Sequence, residues 1–421
     1  MQQTIYLPGE HSFPLEQVDK DALYVMEKLR NAGHSCYLVG GSVRDLLLEK
    51  KPKDFDISTS ALPEEIRKIF RNCILIGRRF RLAHIRFGRK ILEVSTFRSG
   101  DNESENLIVR DNEWGSPEQD ALRRDFTING LFYDPFQHTI IDYVGGFADL
   151  KQRSLRTIGQ PFLRFKQDPV RMIRLLKFVA RFGFAIDPDT KIAMLECRSE
   201  ITKSSSARVL EELLRMLESG AALPFFEQLS HYGLLQLILP SFGEFLEKPE
   251  GQDIYSYLRE VDTTFHAPHL PPLDRSILLA CLLYPFLCKR IESRYLDREK
   301  IPHLGEIQQE SFAIIDEIFH EAFRIPRRMK YMLASILISQ YRLTPLEKRR
   351  SSRLRVPQDP DFLLALKFLD IRACIEPGLQ QTCEEWHEAF KNVQETPARK
   401  RRRRRKRTTP SPTSNKPPLA S

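Results

Sequence analysis

Asp54 and Asp56 are separated by one residue in the segment Lys53-Asp54-Phe55-Asp56-Ile57-Ser58. The segment predicts a strand over 54–58, and side chains two apart on a strand share a face. Two carboxylates side by side repel unless a cation lies between them. A pair of divalent ions roughly 4 Å apart is the usual answer in phosphoryl-transfer sites. In isolation the same pattern also describes two solvated turn acids. Fourteen residues before Asp54, Gly40-Gly41-Ser42 falls between a predicted strand and a predicted helix. Two glycines let the backbone approach a phosphate, and a helix N-terminus supplies N–H groups and a positive dipole end. Arg44 follows within the first helical turn, where it could neutralise a phosphate. Neither GxxxxGK[ST] nor GxGxxG is present.

Three further clusters carry charge at suggestive spacings. Arg123-Arg124-Asp125-Phe126-Thr127-Ile128-Asn129 places two guanidinium groups, which match phosphate oxygens bidentately, beside an acid that could join or brace a metal site. A surface salt bridge is the bland alternative. Asp168, Arg171 and Arg174 follow at helical spacing on one broad face. An Asp beside an Arg can read an adenine edge, the acid accepting from the amino group and the Arg donating to a ring nitrogen. A helix cap with an i,i+3 ion pair is the commoner meaning. Gly77-Arg78-Arg79-Phe80-Arg81-Leu82-Ala83-His84 surrounds an aromatic with arginines, which suits a nucleotide or an RNA strand. Glu93, on another predicted strand, could face the Asp pair, whereas His84 reads as structural.

The elements that must position these residues change character along the chain. Strands are predicted at 36–39, 54–58, 73–76, 82–87, 91–97 and 139–144, interleaved with helices at 19–31, 42–49 and 63–71. From Asp168 onward strand signals nearly vanish. Asp168-Pro169 predicts a helix opening with Asp as cap, running to Phe182 and stopped by Gly183. Further helices are predicted at 207–217, 224–231, 274–287, 307–323, 329–340 and 362–371. The expected fold is α+β, a small mixed α/β head followed by an all-helical remainder. The divisions read as 1–150, 151–220, 221–395 and 396–421.

The 421 residues carry a net charge of +9, but ten of the cations lie within 396–421, nine of them unbroken from Arg399 to Arg407. The other 395 residues sum to −1. The last segment has five prolines and no aromatic residue, a composition expected to stay disordered. Arg401, Arg402, Arg403, Arg404 and Arg405 are its candidate RNA contacts. The longest apolar run, Ile277 to Cys288, is 12 residues with a proline inside, short of the roughly 20 a membrane span needs. No secretory signal is read at the N-terminus. Seven scattered cysteines without a CxxC pair predict reduced thiols in the cytoplasm rather than a disulfide framework or a zinc ribbon.

The segments LVGGSVRD, KDFDIST, RRDFTING and DPVRMIRLLKFVARFGF, in this order between Tyr37 and Leu217, resemble the nucleotidyltransferase family of bacterial poly(A) polymerases and eubacterial-type tRNA CCA-adding enzymes. The resemblance implies a nucleotidyltransferase head with a helical neck, body and tail. It implies addition of AMP from ATP to RNA 3′ ends without a template, releasing pyrophosphate. Two Mg²⁺ ions would be held by Asp54 and Asp56, with Asp125 a further active-site acid. Gly40, Gly41, Arg44, Arg124 and Asn129 would bind the nucleotide, and Asp168, Arg171 and Arg174 would read its base. The stretch LIGRRFRLAHIRFG and the Arg-rich end are similar to the poly(A) branch, and a CCA-adding activity is the alternative. Gln167 departs from the family's Glu before Asp-Pro, and Gly130 from its Ala or Ser. No HD-type phosphohydrolase pattern is seen in the C-terminal half.

Overall fold

The computed structural model describes residues 3–77, 82–99, 113–319, 323, 325–347, 354–359 and 361–395. Eight strands form one sheet: β1 (Thr4–Tyr6), β2 (Cys36–Val39), β3 (Asp56–Thr59), β4 (Cys73–Ile76), β5 (Leu82–Phe87), β6 (Lys90–Thr96), β7 (Leu131–Asp134) and β8 (Thr139–Asp142). Their order is β1-β8-β7-β2-β3-β6-β5-β4. Every pairing is antiparallel except β3 with β6. The two-residue loop between β5 and β6 has positive φ at Gly88 and not at Arg89, the requirement of a II′-type hairpin. Strands β1 and β7 were not anticipated. Leu131-Phe132-Tyr133 shows no polar alternation because all three side chains are buried.

Around the sheet lie α1 (Lys20–Asn31), α2 (Gly41–Leu47), α3 (Pro63–Ile69), α4 (Pro117–Leu122) and α5 (Gly146–Gln152). Asp19 caps α1 by accepting from the N–H groups of Asp21 and Ala22. Asp142 caps α5 more fully. Its two oxygens accept from the N–H groups of Val144, Gly145, Gly146 and Phe147.

The remainder is helical. It begins with α6 (Pro161–Gln167), α7 (Val170–Phe182), α8 (Pro188–Cys197), α9 (Ser206–Leu217) and α10 (Ala222–His231). Gly183 ends α7 in the left-handed conformation, as expected. The start of α7 differs from expectation. Asp168 terminates α6 and makes no capping bond, because its carboxylate is turned to Arg208 on α9.

After α11 (Leu234–Ile238) and α12 (Pro240–Leu246) come α13 (Asp253–His266), α14 (Arg275–Arg294), α15 (Leu304–Phe319), α16 (Arg327–Leu343), α17 (Phe362–Ile375) and α18 (Gln380–Glu395). The apolar run at 277–288 is the centre of α14, where every residue from Ser276 to Leu287 is buried. Uniform apolarity here reflects a helix enclosed by others. No helix of the described residues is long and apolar enough to cross a membrane. One apolar cluster runs from Val18 in the head to Ile371 in α17.

A second, small cluster backs the other face of the sheet, with Val39, Phe132, Val144 and Ile158. Gly130 sits against it. A Cβ there would lie 2.6 Å from Val144 Cγ2 and 3.3 Å from Ile158 Cδ1. Its φ of −89° suits any residue, so the constraint is space rather than backbone conformation. Gly130→Ala is expected to cost about 1–3 kcal/mol by overpacking. Combined with Val144→Ala the total should fall below the sum of the two single costs. Denaturant melts of the three variants test this, and simple additivity would refute the contact.

Candidate functional site

The last residue of β2, the first of β3 and the middle of β6 meet in register. There Asp56 pairs in register with Val39 on one side and Glu93 on the other. Asp54 lies ahead of β3, not within it, so the expected strand over 54–58 starts two residues later. The two acids therefore come together at the mouth of a central strand rather than along one strand face. Both are exposed. A cleft of about 170 Å³ is lined by Val39, Asp56, Glu93, Ser95, Arg123 and Arg124, among others. Water reaches Asp56 from the cleft while protein crowds its flanks. This desolvation, with the charges of Glu93 and Asp54, pushes its carboxyl up to about 6 against the pull of Arg124. Glu93 also lies 3.5 Å from His84 on the neighbouring strand. Under-compensated carboxylate oxygens open to solvent suit a hard divalent cation. The residues present thus fit Mg²⁺.

Facing these acids are two arginines held from behind. Asp120, fully buried, accepts from Arg123 Nε at 2.8 Å and from Arg124 Nη2 at 2.9 Å. Arg164 on α6 donates to the carbonyls of Leu122 and Arg124, at 3.3 and 2.8 Å, and burial pulls its own pKa down to about 9. Gly40, at φ +67°, lets Arg124 lie against the turn: a Cβ would come within 2.8 Å of Arg124 Nη1. Having no side chain, Gly40 also leaves α2 without a side-chain cap. Arg124 Nε is buried with no hydrogen-bond partner among the described residues.

Arg44 is placed differently from the expectation that it meets phosphate directly. It is 4 % exposed. Nε and Nη2 donate to Asp45 Oδ1, Nη1 donates to Asn129 Oδ1, and the guanidinium lies 4.9 Å from the ring centres of both Phe178 and Phe182. All its donor atoms are committed inside the protein. Asn129 passes the contact on, donating from Nδ2 to Asp125 Oδ1 at 2.9 Å. Asp125 is buried too. Its Oδ1 accepts from the Phe126 N–H and its Oδ2 pairs with Arg174 Nη2 at 2.7 Å. Burial alone would raise the Asp125 pKa. Arg174 foremost, with Asn129, outweighs it and holds the carboxyl below the usual range. Of the roles expected for Asp125, these contacts are those of a brace.

The trio of Asp168, at the end of α6, with Arg171 and Arg174 on α7 is thereby divided. Arg174 belongs to Asp125, while Asp168 and Arg171 remain near each other, Oδ2 to Nε at 4.0 Å. Arg208 donates to Asp168 Oδ2, and Arg171 Nη2 to the Arg123 carbonyl. Asp168 Oδ1 and Arg171 Nη1 are buried with no hydrogen-bond partner among the described residues, an acceptor and a donor side by side. Gln167, next in chain, is buried.

Sequence reasoning missed Asp45, Asp120, Arg164, Arg181 and Arg208. Asp120 had a signal, an acid three and four residues ahead of two arginines. Asp45 adjoins Arg44, but its tie to Arg181, like the contacts of Arg164 and Arg208, spans a long sequence distance that leaves no local signal. Arg78 to Arg81 and the tail arginines Arg401 to Arg405 lie outside the described residues.

Because the Asp56 pKa is raised on folding, the folded state binds its proton more tightly than the unfolded chain. The resulting stability is complete below the ordinary value of 3.8 and is lost as pH rises through about 6. Without divalent cation, Asp56→Asn should therefore melt higher than wild type at about pH 8. The gap should narrow toward about pH 5. Thermal melts in chelator measure it, and a gap that widens on acidification would contradict the arrangement.

Residues 36–156 match the Poly A polymerase head domain, 183–246 the probable RNA and SrmB-binding site of polymerase A, and 307–417 the polymerase A arginine-rich C-terminus. The chain is 35% identical to Escherichia coli O157:H7 Poly(A) polymerase I over 98% of its length and 90% of that protein. It is also 35% identical to the Haemophilus influenzae Poly(A) polymerase I, over 89% and 86%. With the CCA-adding enzyme of Geobacillus stearothermophilus it shares 36% identity over 51% of its length and 53% of that protein's. The crystal structure of Bacillus stearothermophilus CCA-adding enzyme in complex with CTP aligns at a TM-score of 0.62 and 25% identity, covering 89% of this chain and 82% of that one. These likenesses, over a mixed-sheet head and a helical remainder, show that the chain belongs to the bacterial poly(A) polymerase family of nucleotidyltransferases.

Proposed function

We propose that the protein adds AMP from ATP to RNA 3′ ends without a template and releases pyrophosphate. The observation that carries this reading is a cleft in which Asp56 and Glu93, with Asp54 close enough for its charge to raise the Asp56 carboxyl, face the buttressed pair Arg123 and Arg124. Mg²⁺ held by Asp54 and Asp56 supplies neutralisation of the charge that develops as one oxygen attacks phosphorus and another leaves. Arg124, pinned by Asp120 and flanked by Gly40, is set to take a triphosphate oxygen. Gly40 and Gly41 let phosphate approach the uncapped first turn of α2. Arg44, Asn129, Asp125 and Arg174 hold the loop that carries these groups at its distance from α7. The oxygen of Asp168 and the nitrogen of Arg171 that lack partners suit the amino group and ring nitrogen of adenine.

The division of labour follows: residues 1–150 catalyse, 151–220 read the base, and 221–395 with the 396–421 tail bind RNA, in a cytoplasmic enzyme of RNA processing. Matching of Poly(A) polymerase I relatives over nearly the whole chain supports this over CCA addition, for which the relative above matches half.

Asp54→Ala and Asp56→Ala should each lower AMP incorporation into a short RNA primer by more than a hundredfold, since a lost metal ligand removes several kcal/mol of charge stabilisation. Activity within about tenfold of wild type would overturn the assignment. Arg171→Ala or Asp168→Ala should cut the preference for ATP over CTP and GTP by about tenfold or more, each base hydrogen bond contributing about 1–3 kcal/mol. Primer extension with the four nucleotides supplied separately measures it, and unchanged selectivity would remove the base-reading role. A primer ending in CC that gains a single A, with CTP also accepted, would transfer the protein to the CCA-adding class.

A further inference from the structure

Helices α17 and α18 form a hairpin that contributes no residue to the cleft described above. Three different ligand types converge on it. Asp370 Oδ1 lies 2.6 Å from His387 Nε2 and 3.1 Å from Cys383 Sγ. One ligand atom from each of the three falls within 4.8 Å of the others. Cys383 and His387 are four residues apart on α18, so they share a face one turn apart, and Asp370 meets them from α17. Cys383 is buried at the rim of a small separate cluster with Leu343, Phe362, Leu369 and Trp386. Asp370 is half-buried and His387 is exposed, so an ion has a path from solvent.

We propose that Asp370, Cys383 and His387 form a Zn²⁺ site that staples α18 to α17. An Asp–His ion pair needs no thiol at the same point, whereas sulfur, nitrogen and carboxylate oxygen together are the mixed donor set of zinc. Magnesium and calcium take oxygen donors and avoid thiolate, which separates this site from the acidic cleft. In a tetrahedral zinc centre, bonds of about 2.0–2.3 Å put ligand atoms roughly 3.3–3.7 Å apart. The two contacts through Asp370 are 2.6 and 3.1 Å and the third separation is within 4.8 Å, so side-chain adjustments of about 1 Å bring the three atoms to those spacings. The fourth place faces solvent through Asp370 and His387. The gain is mechanical. The cluster under α18 is small, and an ion joining two helices adds its binding energy to their docking. In sequence α18 ends at Glu395, immediately before the arginine-rich segment. The staple therefore anchors the helix from which that segment departs.

The test uses the full chain, stripped by chelator and kept reduced so that Cys374 and Cys383 cannot oxidise. Zn²⁺ titrated against a chromogenic chelator should fill one equivalent with a Kd on the order of micromolar or tighter, in the presence of excess Mg²⁺. Co²⁺ should give tetrahedral visible bands with a near-ultraviolet thiolate charge-transfer band. Cys383→Ser should abolish that band. Cys383→Ser and His387→Ala should each weaken Zn²⁺ binding by more than about a hundredfold. Asp54→Ala should keep the tight equivalent, which separates this site from the proposed reaction. His387 is exposed, so its variant should fold, and melting curves should show Zn²⁺ raising the wild-type midpoint but not that of His387→Ala. Absence of a tight equivalent, or tight binding unchanged in both Cys383→Ser and His387→Ala, would overturn the proposal.

Discussion

One chain of polar and charged side chains, buried at its centre and partly exposed where it meets α7, sets the relation between the head and that helix. Arg181 on α7 donates to Asp45 on α2, Asp45 holds Arg44, Arg44 reaches Asn129, Asn129 holds Asp125, and Asp125 returns to Arg174 on α7. The circuit leaves α7 and comes back to it, with Arg44 between Phe178 and Phe182 of the same helix. Buried ion pairs add little net stability over apolar packing, but loss of one member strands the other in a dry interior at a cost of roughly 3–5 kcal/mol. Such a network acts as a gauge. Apolar packing would bring α7 to the sheet at several rotations, and only one satisfies every member of the circuit.

The acids of the head fall into two electrostatic classes. Asp45, Asp120, Asp125 and Asp142 are buried, and each is answered by arginines, an amide or backbone N–H groups. Asp54 and Asp56 are exposed, and Asp56 is pushed upward by its acidic neighbours as well as by desolvation. A carboxylate left with its charge unanswered costs the fold something, and the compensating partner is then a ligand from outside. Asp168 and Arg171 repeat the pattern at smaller scale, each keeping one polar atom without a partner beside contacts that orient it. In both places the surrounding contacts are dense, and the polar atoms left over are the ones available to a ligand.

Many of the elements, though not β1, β7, α8, α13 or α18, and the chemistry available are legible in the residues alone. Cys36–Val39, Cys73–Ile76 and Leu82–Phe87 are strands with the bounds their β-branched and turn residues predict, and Gly183 ends α7 where its left-handed conformation is needed. Residue type and local spacing suffice to single out Asp54, Asp56, Arg124, Asp168 and Arg171 as candidates. Which of these residues face the cleft and which are turned inward to hold it depends on the folded chain. Arg44 and Arg124 have the same chemistry. They differ because Asp45, Phe178 and Phe182 enclose the first, while the second reaches the cleft past the bare backbone of Gly40. Desolvation and charge pairing depend on residues more than a hundred positions away, as Arg181 is from Asp45, and no local pattern encodes that distance.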